Sequence, residues 1–253
     1  MKILFLSFAL LTINNFLFSQ SLIIYMNGGL KDTVDIGQTD SILVAPFQCG
    51  VNTIKYSNQI YHTVQIGSQC WLKENLNVGT RINGAIDQAD NGIIEKYCYN
   101  DDPANCNTLG GLYEWAETVQ YQNGATNNSY PNPAYSGNIK GICPNGWHIP
   151  TNAEFVTLNS TVNGDGDALK EVGQGTGAGA GTNTSGFSAL LAGFLTYSKS
   201  YQALGETTAF WRLEGFELDP NYADQYFLFL SNNNFTLGTN FKKYAFSMRC
   251  LKD

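Results

Sequence analysis

The residues of this sequence best suited to chemistry are six cysteines and two histidines. Residues 143–155 read CPNGWHIPTNAEF and bring Cys143, Trp147 and His148 together just before a helix-like run. A zinc or copper centre built on imidazoles needs more histidines than His62 and His148 supply. No C-x-x-C occurs, so neither a zinc knuckle nor a dithiol redox pair is indicated. A Ser–His–Asp arrangement could be drawn around His148, but no G-x-S-x-G elbow presents a serine to it. Glycoside cleavage needs two carboxylates at a set separation in space, and the spacing nominates no pair. The residues therefore nominate no catalytic and no metal-ligating set.

Two further stretches invite a ligand. Asn163, Asp165 and Asp167 alternate in NGDGDALKE and offer oxygens of the kind calcium takes. The run lacks the glycine and closing glutamate of a helix–loop–helix calcium loop. It reads as a polar turn, with structural calcium the one cofactor left open. The glycine-rich GQGTGAGAGTNTSG has no Lys-Ser/Thr to close a phosphate loop and reads as a flexible surface loop. Trp71, Trp115, Trp147 and Trp211 could stack on sugar rings if exposed, but each lies in a local pattern that reads as core.

These residues need elements to position them. TIKYSNQIYHTVQIGSQCW is a hairpin turning at Ser57-Asn58, with His62, Val64 and Ile66 on the inward face. Residues 79–140 read as long loops around one short helical element, with Leu112, Trp115 and Ala116 on one face. Thr151 followed by Glu154 is a capping box, in which each residue satisfies the other's backbone N–H. Phe155, Leu158 and Val162 then follow at helical spacing, so Thr151 opens a helix of about ten residues. DALKEVG reads as a second short helix. From residue 186 onward, aromatic and apolar alternation broken by Asn, Gly and Ser predicts a closing antiparallel sheet that carries Cys250. Upstream, Leu22–Tyr25, Thr33–Ile36 and Asp40–Val44 read as short strands, the first two joined by a turn at Asn27-Gly28-Gly29.

The 253 residues carry a net charge of −7 and only 14% charged side chains, with no basic run beyond Lys242-Lys243. That argues against nucleic acid as a partner, because phosphate binding needs clustered Lys and Arg. Residues 1–20 join Lys2 to an apolar run over Ile3–Ile13 and read as a secretory signal peptide. The first cysteine, Cys49, is far too late for a lipid-anchored precursor, and no later stretch is apolar enough to span a membrane. The expectation is a secreted or outer-surface protein, in which six cysteines suggest disulfides with 15 connectivities open.

Several stretches together resemble the Fibrobacter succinogenes major paralogous domain. They are VQIGSQCWLKENLN, CYNDDPANCNTLGGLYEWAE, CPNGWHIPTNAEFVTL, ALKEVGQGTG, SGFSALLAGF, AFWRLEG and FSMRCLKD, in the family's order over residues 50 to 253. FWRLEG departs from the Trp-Ser-Ser-Thr-like run usual there. WHIPTNAEF and FSMRC are also similar to the entry and closing strand of formylglycine-generating enzymes. The resemblance implies an α+β, C-type-lectin-like domain over 49–253, with long loops and antiparallel sheet. A short strand-rich segment over 21–48 precedes it. It implies surface or secreted proteins of Bacteroidetes and related bacteria without an established activity. It also implies the pairing Cys49–Cys70, Cys98–Cys106 and Cys143–Cys250. The paired copper-binding cysteines of formylglycine-generating enzymes are missing between Phe210 and Phe246. The Glu-Pro-Asn and Trp-Asn-Asp motifs of calcium-dependent lectins are missing too, so neither mechanism carries over.

The expected function is a non-enzymatic binding or adhesion module for an extracellular glycan or protein. Its contact surface is placed in the loop-rich stretch containing Tyr222, Tyr226, Asn232, Asn233, Asn234 and Asn240, where rings stack and amides adapt. The alternatives are a hydrolase or modifying enzyme on the same fold, and a purely structural envelope protein.

Overall fold

A computed structural model describes residues 21–25, 31–35 and 46–253. The chain divides into two compact units, Met1–Pro46 and Phe47–Asp253. In the first, β1 (Ser21–Tyr25) and β2 (Lys31–Asp35) pair antiparallel, with Ser21 opposite Asp35 and Tyr25 opposite Lys31. The 1–20 leader, the turn at Asn27-Gly28-Gly29 and the Asp40–Val44 strand lie outside the described residues.

The second unit opens with β3 (Ile54–Tyr56) and β4 (Gln59–Tyr61). Ser57 and Asn58, at φ 48° and 63°, make the left-handed two-residue turn that such a hairpin needs. Next come β5 (Thr63–Ile66) and β6 (Gln69–Leu72). Here the expected alternation breaks. His62 falls between β4 and β5 and is exposed, while Tyr61, Thr63 and Ile66 are buried. The side-chain phase restarts at Thr63, and the His62 ring turns outward to Glu74, 2.8 Å away.

Residues 79–140 carry more order than expected. β7 (Thr80–Arg81) runs parallel to β8 (Glu95–Lys96), and α1 (Pro103–Leu109) was read as loop. Its start signal is present, with Asp102 accepting from Ala104 N and Pro103 at the first helical position, where its missing N–H costs nothing. The predicted helix around Trp115 shrinks to β9 (Tyr113–Glu114) and a single turn, α2 (Trp115–Thr118). β10 (Trp147–His148) leads to α3 (Asn152–Thr161), whose N-cap is Thr151. Both halves of the capping box form: Thr151 Oγ1 accepts from Glu154 N at 3.3 Å, and Glu154 Oε2 accepts from Thr151 N at 2.7 Å. The second predicted helix is only a 3-10 turn, Gly166–Ala168. Lys170 instead bridges in parallel to Ala189.

The remaining strands are β11 (Ala192–Leu195), β12 (Tyr201–Leu204), β13 (Thr207–Gly215), β14 (Tyr222–Phe229), β15 (Phe235–Phe241), β16 (Ala245–Phe246) and β17 (Leu251–Lys252). They do not form one closing sheet. Among the described residues the orders are β10-β17-β6-β5, β12-β11-β16-β9 and β13-β14-β15, all antiparallel. The architecture is thus α+β and mostly sheet. Leu251 pairs with Trp71, so an early strand and a late one meet in one sheet.

All four tryptophans are buried. Trp115, Trp147 and Trp211 belong to one core, and Trp71 packs with Phe155, Phe187, Phe210 and Tyr226 in another. Long loops bury backbone carbonyls that no strand satisfies, and unpaired buried polar groups are costly. Three buried cations meet this need. Lys170 donates to Gly179 O, Phe229 O and Asn232 O, and Lys242 to Ser129 O and Thr126 O. Arg249 donates to Phe187 O, Ser188 O and Asn75 Oδ1. Aromatic faces share the charge, with Lys242 Nζ 4.0 Å from the Trp115 ring centre and Arg249 4.2 Å from that of Phe187.

The glycine-rich stretch is a surface loop, with Gly173, Thr176, Gly177, Ala178 and Ala180 exposed, but it is anchored at two of its glycines. Gly179 is buried, and a Cβ there would stand 2.4 Å from Asn232 N. One on Gly175, at φ +81°, would stand 2.0 Å from Gly179 O. Glycine is required because the loop backbone lies directly against that of the β14–β15 turn. The six cysteines form three disulfides, Cys49–Cys70, Cys98–Cys106 and Cys143–Cys250.

Candidate functional site

The stretch expected to make contacts is a β-hairpin rather than a run of loops. DQYFLFL and FTLGT alternate, and β14 and β15 pair in register from Tyr222 opposite Phe241 to Leu228 opposite Phe235. Tyr226 is removed from the surface. It is 5% exposed, stacks on Phe155 at 4.8 Å and donates its hydroxyl to Asn152 Oδ1. Asn232, Asn233 and Asn234 form the turn, where Asn232 O accepts from Lys170 and Asn233 O from Gly166 N. Tyr222 and Asn240 stay half-buried at the other end.

At that end the fold assembles something that linear spacing could not show. Tyr222 stacks on Phe241 with centres 4.3 Å apart, and Phe216 joins Tyr222 at 6.4 Å. Tyr197, from the β11–β12 connection, meets Phe241 at 5.2 Å and Tyr244 at 5.8 Å. Five rings from four chain segments thus form a continuous row. Tyr197 is 55% and Phe241 37% exposed, so the middle of the row faces solvent. Exposed, contiguous aromatic surface marks interaction sites more often than chance placement does.

A second concavity, a cleft of about 370 Å³, is lined by Tyr61, Glu74, Asn107, Glu171, Ser188 and Arg249 among others. Its volume suits a small ligand. Its most distinctive group, Arg249, is 1% exposed and already holds two carbonyls and Asn75. Burial pulls the guanidinium pKa down to about 9, which still leaves it cationic at neutral pH.

His148 and the cysteines are engaged by other groups of the chain. His148 is clasped between two carboxylates, with Nδ1 2.8 Å from Asp253 and Nε2 2.9 Å from Glu154. Burial opposes charge on this imidazole, but the bonds to Glu154 and Asp253 outweigh it and hold its pKa above the ordinary value. Both ring nitrogens are occupied, so neither is free to serve as a base. Among the described residues no cysteine is free, and no three His, Cys, Asp or Glu side chains gather as a metal site. Asp165 caps its own turn by accepting from Asp167 N, while Asp167 lies 2.7 Å from Lys170. Both aspartates of the calcium-like triplet are thus engaged within the chain.

One carboxyl is held far from its ordinary state. Glu117 is fully buried, and burial raises its pKa from 4.5 to about 7 against the bonds from Glu95 N and Gln120 Nε2. A folded state that holds a proton more tightly than the unfolded chain loses stability as pH rises between the two pKa values. Glu117→Gln removes that loss while keeping an acceptor for Glu95 N. Urea unfolding should show the variant about 3 kcal/mol more stable at pH 8 and nearly unchanged at pH 4. A gain of equal size at both values would show that ionisation is not the cause.

A family model described as the Fibrobacter succinogenes major domain matches residues 64–252. No curated protein and no solved structure matches the chain.

Proposed function

From a chain that belongs to the Fibrobacter succinogenes major domain family, we propose an exported, non-enzymatic binding module with a C-type-lectin-like core and a carbohydrate ligand. The observation that carries the ligand class is the exposed row Phe216–Tyr222–Phe241–Tyr197–Tyr244. A sugar ring presents an apolar C–H face and a rim of hydroxyls. Flat aromatic rings accept the face, and a neighbouring uncharged group such as Thr239, on the same face of β15 as Phe241, serves the rim.

Export is supported by the leader-like residues 1–20 and by three disulfides, which persist in oxidising compartments. Among the described residues no helix is long and apolar enough to cross a membrane. The lectin-like reading of the core is supported by the meeting of Trp71 and Leu251 in one sheet and by the capped helix that follows β10. The non-enzymatic reading is supported by bridged cysteines and a doubly occupied His148, which withhold thiol and imidazole catalysis.

A glycan array probed with purified protein tests the proposal. Binding to at least one glycan class is expected. Tyr197→Ala with Phe241→Ala should weaken it by about tenfold or more, roughly 1.4 kcal/mol. Silence across the array at high protein concentration would sink the carbohydrate ligand, and undiminished binding by the double variant would remove it from the row.

A further inference from the structure

The outer strand of the β13-β14-β15 sheet is unlike a protected edge. β15 spans Phe235–Phe241 and bonds to β14 on one side. Among the described residues, no other main-chain hydrogen bond reaches Thr236, Leu237, Gly238, Thr239 or Asn240 from the opposite side. Proteins usually blunt such an edge with proline, lysine, a bulge or a covering element, because open N–H and C=O groups are a template for another strand. Here FTLGTNF holds no charge and no proline, and its pairing with β14 runs through all seven residues without a bulge. The side chains of Thr236, Leu237, Thr239 and Phe241 are exposed, and apart from Tyr197 against Phe241 at its end nothing described covers the strand.

We infer that β15 is a pairing edge whose occupant is β15 of a second copy of this chain. The two strands would run antiparallel about a two-fold axis at Gly238, joining two three-stranded sheets into one of six. Several observations favour a second copy over an unrelated strand. The strand's midpoint is its only residue without a side chain, so the two backbones meet at the axis unhindered. The symmetric register sets Leu237 opposite Thr239, Thr236 opposite Asn240 and Phe235 opposite Phe241, so apolar and neutral polar groups meet and no like charges do. A chain of net charge −7 repels its copies over much of its surface, but this strand contributes nothing to that repulsion. The flanking Lys243 would fall beside Asn233 of the second copy, which is neutral. Main-chain bonding supplies the attraction and the register supplies the selectivity, as in other strand-addition contacts.

The inference does not depend on a glycan, and its test uses none. Sedimentation velocity of the purified full chain should show a reversible dimer whose share grows between roughly ten and several hundred micromolar, the range of a modest interface. Thr236→Lys with Asn240→Lys puts like charges opposite each other twice across the axis and should weaken dimerisation at least about tenfold. Thr236→Glu with Asn240→Glu should do the same alone. Mixing the Lys and Glu forms should restore association as a heterodimer, which unfolding could not mimic. A wild-type chain that stays monomeric throughout overturns the inference, and so does a dimer indifferent to both charge pairs.

Discussion

Replacing both Cys143 and Cys250 by alanine is expected to lower the free energy of unfolding by about 4 to 5 kcal/mol, the largest loss of any bridge in the chain. The two cysteines are 107 residues apart, so the bridge closes about half of the Phe47–Asp253 unit into one loop and removes many conformations from the unfolded chain. It also holds particular native contacts. Cys143 precedes β10, and Cys250 O accepts from Leu72 N while Leu251 pairs with Trp71. The approach to α3 is thereby tied to the sheet that joins early and late strands. Cys98–Cys106 spans only 8 residues, and its removal should cost about 2 to 3 kcal/mol on the same reasoning. Urea unfolding of the two double variants measures the difference. Equal losses would show that native packing, rather than loop closure, sets the contribution of these bridges.

The second large effect is expected at Lys170. Its ammonium is fully buried, with Gly179 O at 2.5 Å, Phe229 O at 2.8 Å, Asn232 O at 3.0 Å and Asp167 Oδ1 at 2.7 Å. It fastens the glycine-rich loop to the β14–β15 turn, two backbones with no ladder between them at this point. Lys170→Met keeps the aliphatic stem but strands three carbonyls and a largely buried carboxylate, and removing one partner of a buried ion pair costs about 3 to 5 kcal/mol. Unfolding should shift by that amount. Hydrogen exchange should rise first at Thr176, whose amide bonds to Leu230 O, and at Gly181, whose amide bonds to Gln174 O. A loss below about 1 kcal/mol would mean that water takes over the carbonyls and that the lysine is dispensable.

What could be read in advance follows a physical boundary. The capping box at Thr151 and Glu154, the Ser57-Asn58 turn and the strand runs are local, set by residues within a few positions of one another. Asp102-Pro103 is an equally local start signal for α1, but the many Asn, Asp and Gly residues around it give the stretch the composition of a loop. Strict alternation places His62 inward, but a break between β4 and β5, which the side-chain pattern alone does not mark, resets the phase. DALKEVG lost its helix to a long-range demand, since Lys170 reaches carbonyls 59 and 62 residues away.

The candidate site divides in the same way. Residue type nominates Tyr222, Asn240 and Tyr226 alike, but β14 turns Tyr226 into the core. Tyr197, the most exposed ring of the row, escaped notice because it joins Phe241 only when the β11–β12 connection folds over the end of the sheet. By itself the sequence determined the family, the α+β class and the capped helix, because these rest on residue type and short spacing. Only the tertiary structure decided which rings are exposed, which cations fasten the loops and which strand is left open. Those outcomes depend on segments far apart in the chain competing for the same buried space.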